Sequence, residues 1–163
     1  MEIRFMSIGS GSCGNCYYLG TEKYGILIDA GIPVKTIRLA LKKENIPFES
    51  ICAVFVTHDH ADHIKSLGVV ASKAMIPIYA TKKIHEGITR NYCITTPIDP
   101  QYTRFIEKEN SIEFKDMKIT AFEVPHDGTD NVGYCIEIGD KVFCFLTDLG
   151  CITETAASPD KYI

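Results

Sequence analysis

The chain has 163 residues, is 45% hydrophobic and 23% charged, and carries a net charge of −4. This length suits one domain with a sizeable core, and the composition is that of an ordinary globular protein. No apolar run approaches the roughly 20 residues that a membrane-spanning helix needs, and the acidic balance excludes an overall basic nucleic-acid footprint, leaving room only for a local patch.

The seven cysteines form no even, regularly spaced framework. Residues 1–10 carry a short strand pattern in place of the apolar core of a signal peptide. Together these features predict a cytoplasmic chain with reduced thiols and no membrane association. Cys52, Cys135 and Cys144 sit in apolar strand patterns and read as small core residues. Cys13-Gly14-Asn15-Cys16 has the C-x-x-C spacing of redox and zinc sites, but no second pair accompanies it. A loop entering a strand explains it equally well.

Residues 3–8 read as a strand. Residues 9–15 form a glycine- and serine-rich loop of the kind that lets backbone approach a ligand closely. Its N–H groups can cradle a phosphate oxygen, with a tight hairpin connection as the alternative. Residues 16–20 and 25–29 read as strands around a polar turn. Ile26-Leu27-Ile28 is a continuous apolar run, expected to be buried on both faces, and Asp29 ends it. Pro33 suits a first helical turn. Val34, Ile37, Ala40 and Leu41 then carry helical spacing to about Asn45, while Lys35, Arg38 and Lys42 form a solvated face.

Residues 51–56 form an apolar strand that runs into Thr57-His58-Asp59-His60-Ala61-Asp62-His63. A helical pattern follows over residues 62–74, with Ile64, Leu67 and Val70 toward the core. Imidazole and carboxylate are ligand types for a zinc-like ion. Side chains alternate in an extended segment, so His58 and His60 can point to one side. Asp62 and His63 lie where the chain turns into the helix and can reach a second ion beside the first. A helix-capping role is the alternative for Asp62.

Residues 77–80 read as a short strand, and Thr81 caps a helix through about residue 92. His85 lies in that helix without a metal partner at a plausible spacing and reads as a surface or partly packed histidine. Residues 103–106, 112–114 and 117–124 read as strands, the last alternating apolar and polar as a strand with one buried face does. His126 follows it directly. Residues 132–138 and 141–146 form a hairpin through Gly139-Asp140, and Asp148 follows the second strand.

The run T-H-D-H-A-D-H matches the T-H-x-H-x-D-H signature of the metallo-β-lactamase fold hydrolases, and the likeness covers nearly all of the chain. Leu27-Ile28-Asp29-Ala30-Gly31 resembles the family's early strand ending in an acidic residue and glycine. Val124-Pro125-His126-Asp127-Gly128 resembles its third-histidine stretch, and Phe145-Leu146-Thr147-Asp148-Leu149-Gly150 its bridging-aspartate stretch. The opening Gly9-Ser10-Gly11-Ser12-Cys13-Gly14-Asn15 is similar to the start of the WalJ/YycJ-like branch, a bacterial group of nucleases and phosphodiesterases.

The resemblance implies an α/β (α+β) fold: an αββα sandwich of mixed sheets flanked by helices. It implies a single domain over residues 1–163, with this chain as the N-terminal portion of the fold. It also implies two divalent ions, zinc first, with manganese or iron as alternatives. His58, His60 and His126 would hold one ion, Asp62 and His63 the other, and Asp148 would bridge them. Asp62 would also orient a hydroxide held between the ions for attack on phosphorus or a carbonyl. Asp29 would support the metal loop by hydrogen bonds without ligating. Ser10, Ser12 and Asn15 are assigned to the site edge, toward substrate.

The expected activity is that of a metal-dependent phosphodiesterase or nuclease acting on DNA or RNA. A thioester hydrolase of the glyoxalase II type, a β-lactamase and a non-catalytic metal-binding or regulatory module are alternatives. An iron-based oxygen or nitric-oxide reductase fits less well, because those relatives carry glutamate where this chain has His60. No histidine follows His126, whereas the family supplies a final one to the second ion. The chain alone is therefore expected to hold one ion well and the second poorly, and to be completed by a C-terminal segment or a second copy.

Overall fold

The computed structural model describes residues 1–11, 13–124, 130–146 and, as backbone, 151–156. The chain forms two compact units, Met1–Phe105 and Ile106–Ile163, each built on its own sheet.

In the first unit six strands lie side by side in chain order: β1 (Ile3–Gly9), β2 (Cys16–Thr21), β3 (Gly25–Ile28), β4 (Ile51–Phe55), β5 (Ile78–Ala80) and β6 (Thr103–Phe105). The first three pair antiparallel, and β3 through β6 run parallel. Parallel neighbours need crossover connections. Helix α1 (Val34–Lys43) lies in the connection from β3 to β4, and Ile37 and Leu41 are its buried stripe. The expected double burial of β3 holds, since Ile26, Leu27 and Ile28 are 0–1% exposed. Each such side chain contributes about 1.5–3 kcal/mol by leaving water.

The sequence pattern predicts one helix over residues 62–74. The structure has two, α2 (Ala61–Ile64) and α3 (Leu67–Ala74). The break has a hydrogen-bonding cause. Continuing the helix would require the Ser66 N–H to donate to the Asp62 carbonyl. Instead Ser66 N–H donates to Ala30 O at 2.9 Å, and Asp62 O accepts from Asn15 N–H at 2.7 Å. The Ser66 hydroxyl donates to Ile32 O at 2.5 Å. The neighbouring loop thus takes the bonds that would have carried the helix on. Farther along, Thr81 caps α4 (Lys82–Arg90) as expected, its Oγ1 accepting from Ile84 N–H at 3.2 Å.

The second unit is an antiparallel sheet of β7 (Ser111–Phe114), β8 (Met117–Glu123), β9 (Val132–Ile138), β10 (Lys141–Leu146) and β11 (Cys151–Ala156), in the order β11-β10-β9-β8-β7. The strand β11 is absent from the sequence expectation. The β9–β10 bounds match it, and Gly139 takes φ +62° at the first position of the two-residue turn, where glycine carries no steric cost. Alternation on β8 buries Met117, Ile119 and Ala121. Cys135 and Cys144 stand directly opposite one another in the β9–β10 register, with their sulfurs 3.1 Å apart. Both are buried, in keeping with their reading as core residues. Among the described residues no helix is long and apolar enough to cross a membrane.

Candidate metal centre

Strands β3 and β4 are parallel neighbours with Ile28 opposite Phe55. Their carboxyl ends therefore open side by side, and this end of a parallel sheet is where ligand-binding residues collect. Asp29 N–H donates to Phe55 O at 2.9 Å, which extends the pairing one step past β3. The chain then turns sharply. Asp29 adopts φ +63°, a left-handed conformation that aspartate tolerates better than most residues.

The turn drives the Asp29 side chain inward, where it is 0% exposed. A carboxylate removed from water costs several kcal/mol, on the order of 2–7 for even a neutral polar group, unless hydrogen bonds replace the lost hydration. Asp29 accepts three. Thr57 N–H donates to Oδ1 at 2.8 Å, Thr57 Oγ1–H to Oδ2 at 2.7 Å, and His63 Nδ1–H to Oδ2 at 2.6 Å.

These bonds assign the tautomers of two histidines. The carboxylate oxygen only accepts, so His63 carries a proton on Nδ1, and the neutral ring has its lone pair on Nε2. Thr57 spends its one hydroxyl proton on Asp29. Its oxygen, 3.1 Å from His58 Nδ1, therefore accepts from a protonated Nδ1. That places the lone pair of His58 on Nε2 as well. One buried carboxylate, acting directly on His63 and through Thr57 on His58, thus holds the Nδ1 proton of both rings and places the lone pair of each neutral ring on Nε2. Neutral imidazoles oriented in this way are the form that a metal ion takes.

The rings lie close together. His58 and His63 centroids are 4.0 Å apart, and His58 and His60 meet edge to face at 4.5 Å. His58 and His63 are buried, whereas His60 is exposed at the start of α2. Asp62 lies inside α2, so the capping alternative does not hold, because His60 takes the N-cap position. Its Oδ2 stands 3.8 Å from His63 Nε2. Zinc forms bonds of about 2.0–2.2 Å to nitrogen and carboxylate oxygen, so one ion can span that gap. The donor set therefore fits a divalent ion. Among the described residues no group of three or more His, Cys, Asp or Glu side chains is already arranged to hold one. The expected set also draws on His126 and Asp148, which lie outside the described residues, as does Ser12.

Two loops and helix α2 are tied together by backbone hydrogen bonds at this point. Asn15 N–H bonds Asp62 O, Gly31 N–H bonds Asn15 O at 2.9 Å, and Ala30 N–H bonds His63 O at 2.9 Å. Gly31 is required by close approach, because a Cβ there would fall 1.8 Å from Asp62 O. Ser10 is exposed. Asn15 is 7% exposed, and its side chain reaches Asp62 and His63. Asp59, between His58 and His60, packs against α4, where a Cβ on Gly87 would fall 1.7 Å from its Oδ2. Asn91 Nδ2–H donates to Asp59 O at 3.0 Å.

The role of Thr57 and the Asp59–Gly87 contact are additions to the sequence reading. The T of the quoted motif was a signal for the first; nothing local marks the second. Cys13 is exposed, while Cys16 is wholly buried in β2. Burial, and then the charge of Asp29, pushes the Cys16 thiol well above the usual range. The C-x-x-C pair therefore offers one water-facing thiol and one inert one. His85 is more deeply packed than the sequence pattern predicts, at 8% exposure, with its Nε2 on Arg104 O at 2.7 Å.

Residues 24–159 match the beta-lactamase superfamily domain. The chain belongs to this superfamily. Its structural neighbours have the metallo-β-lactamase fold. A subclass B3 metallo-β-lactamase with an active-site glutamic acid superimposes with a TM-score of 0.71 at 14% identity, over 86% of this chain and 58% of the other. A HARLDQ-motif mutant of a metallo-β-lactamase from Cronobacter sakazakii gives 0.70 at 17% identity, over 86% and 59%. In sequence this superfamily member is similar to the exodeoxyribonuclease YycJ of Bacillus anthracis, at 30% identity over 94% of this chain and 57% of the relative. It is 33% identical to the exodeoxyribonuclease WalJ of Streptococcus pneumoniae, over 95% and 57%. The chain thus spans a little over half the length of the curated relatives it matches.

Proposed function

We propose that the chain carries the metal-binding half of a phosphodiesterase that cleaves nucleic acid, with DNA as the first substrate to test. The reading is supported by one buried carboxylate, Asp29, which holds the Nδ1 side of His63 directly and that of His58 through Thr57. Similarity to two exodeoxyribonucleases, and at 26% identity to a ribonuclease Z of Ignicoccus hospitalis, supports the substrate class. His58, His60 and His126 would hold one divalent ion, zinc first, Asp62 and His63 a second, and Asp148 both. When bound, such ions lower the pKa of a water and offset charge that develops on phosphoryl oxygens.

The remaining work falls to the chain. Asp29 and Thr57 keep protons off the Nε2 atoms of the two rings. Asp62, its side chain 32% exposed, reaches solvent, orients the attacking water and takes up its proton. The strand ends hold these groups on a rigid edge, so substrate meets a prearranged site. No serine or cysteine nucleophile is required.

The test is cleavage of bis-(p-nitrophenyl) phosphate and of single-stranded DNA after loading with zinc or manganese, beside His60→Ala. Cleavage lost in the variant, together with DNA binding that weakens as salt rises, is the expected result. A chain that binds metal and cleaves neither substrate would favour the non-catalytic metal-binding module.

A further inference from the structure

The Asn15 carboxamide sits in surroundings out of proportion to its chemistry. Its Nδ2 carries two protons and lies within hydrogen-bond distance of four acceptors. These are Gly11 O at 2.9 Å, Asp62 O at 3.2 Å, Asp62 Oδ2 at 3.2 Å and His63 Nε2 at 3.1 Å. Two of the four are the atoms through which Asp62 and His63 would bind an ion. The His63 Nδ1 proton is already committed to Asp29, so the Nε2 lone pair is the acceptor that Asn15 meets. An imidazole nitrogen has one such lone pair, and it cannot serve a hydrogen bond and a metal bond together.

We propose that the Asn15 side chain competes with the second ion for Asp62 and His63, and that loading of this ion swings the carboxamide away and loosens the loop at Gly11. The proposal rests on the reading of His63 as a ligand. The backbone of Asn15 is held independently of its side chain, by N–H to Asp62 O and C=O to Gly31 N–H. The side chain can therefore rotate while the chain stays in place. What it leaves behind is local. Gly11 N–H donates to Asn15 Oδ1 at 3.0 Å, and Gly11 O accepts from Nδ2. Gly11 and Gly14 sit at φ +121° and +146°, a backbone that only glycine enters readily, and once those two bonds go Gly11 retains the longer bond from Gly14 N–H to its carbonyl at 3.3 Å. Gly11, in the stretch expected from sequence to border the substrate, is in this way tied to the occupancy of the second site.

The experiment is a zinc titration of the isotopically labelled chain, followed by NMR at His63 Nε2, the Asn15 side-chain amide and the Gly11 backbone amide, with calorimetry on the wild type and Asn15→Ala. The three signals should change with one common zinc dependence. Asn15→Ala should bind zinc roughly five-fold more tightly at this site, the gain from removing one competing hydrogen bond. A His63 Nε2 signal that moves while Asn15 and Gly11 stay put would overturn the proposal, whatever the variant does. So would a folded Asn15→Ala chain that binds zinc more weakly. If saturating zinc leaves His63 Nε2 unmoved, the ligand assignment itself falls and the competition falls with it, an outcome the histidine signal identifies on its own.

Discussion

The substitution Asp29→Asn tests the central hydrogen-bond arrangement with almost no change in volume. The new carboxamide keeps one oxygen, which can still accept from Thr57 N–H. The position of Oδ2 becomes an NH2 group, facing two groups that now donate to it, the Thr57 hydroxyl and His63 Nδ1–H. His63 relieves the conflict only by moving its proton to Nε2, where it would confront the Asn15 amide at 3.1 Å. Hydrogen bonds to a charged group contribute roughly 1.5–3 kcal/mol each. Two are lost and part is recovered through reorientation, so the expected loss is about 3 kcal/mol. Zinc affinity should fall by roughly 10–100-fold, as it does when the partner of a ligating histidine is removed. Urea unfolding followed by circular dichroism measures the first quantity and calorimetric zinc titration the second. An Asp29→Asn chain with an unchanged midpoint and unchanged zinc affinity would refute the idea that Asp29 orders the two histidines.

Gly31→Ala should destabilise by about 1–3 kcal/mol, the usual range for overpacking, because its Cβ would overlap the Asp62 carbonyl and push the Asp62–His63 turn aside. A wild-type urea midpoint in this variant would contradict the description of these segments as tied together. Burial holds the His85 pKa below its ordinary value. The unfolded chain, with an imidazole pKa near 6.5, then binds this proton before the folded chain does. Stability from this residue is complete above about pH 6.5 and is lost as pH falls toward the depressed folded value. Lys82 and Glu86 line the same cavity. Thermal melts between about pH 7.5 and 5 should therefore show a decline that His85→Gln reduces, and an equal decline in both chains would remove His85 as its source.

The sequence alone determined features whose causes lie within a few residues. The hairpin β9–β10 was legible to the residue, because alternation and a Gly-Asp turn are local properties. Thr81 as a cap and the continuous burial of Ile26–Ile28 follow from hydroxyl chemistry and apolar runs in the same way. The clustering of imidazole and carboxylate groups at His58, His60, Asp62 and His63 was evident from their spacing after a buried strand.

Tertiary structure decided what depends on register between distant segments. Asp29 meets His63 across 34 residues because β3 and β4 pair parallel with Ile28 opposite Phe55. Asn15 meets His63 across 48 residues, and nothing in a glycine-rich loop predicts which acceptor its amide will find. The helix expected over residues 62–74 breaks at Ser66 for the same reason. Its periodicity was sound, but carbonyl and amide groups of the neighbouring loops offered competing partners at 2.7 and 2.9 Å. Local patterns encode which groups are available, whereas only the packed sheet selects which of them bond.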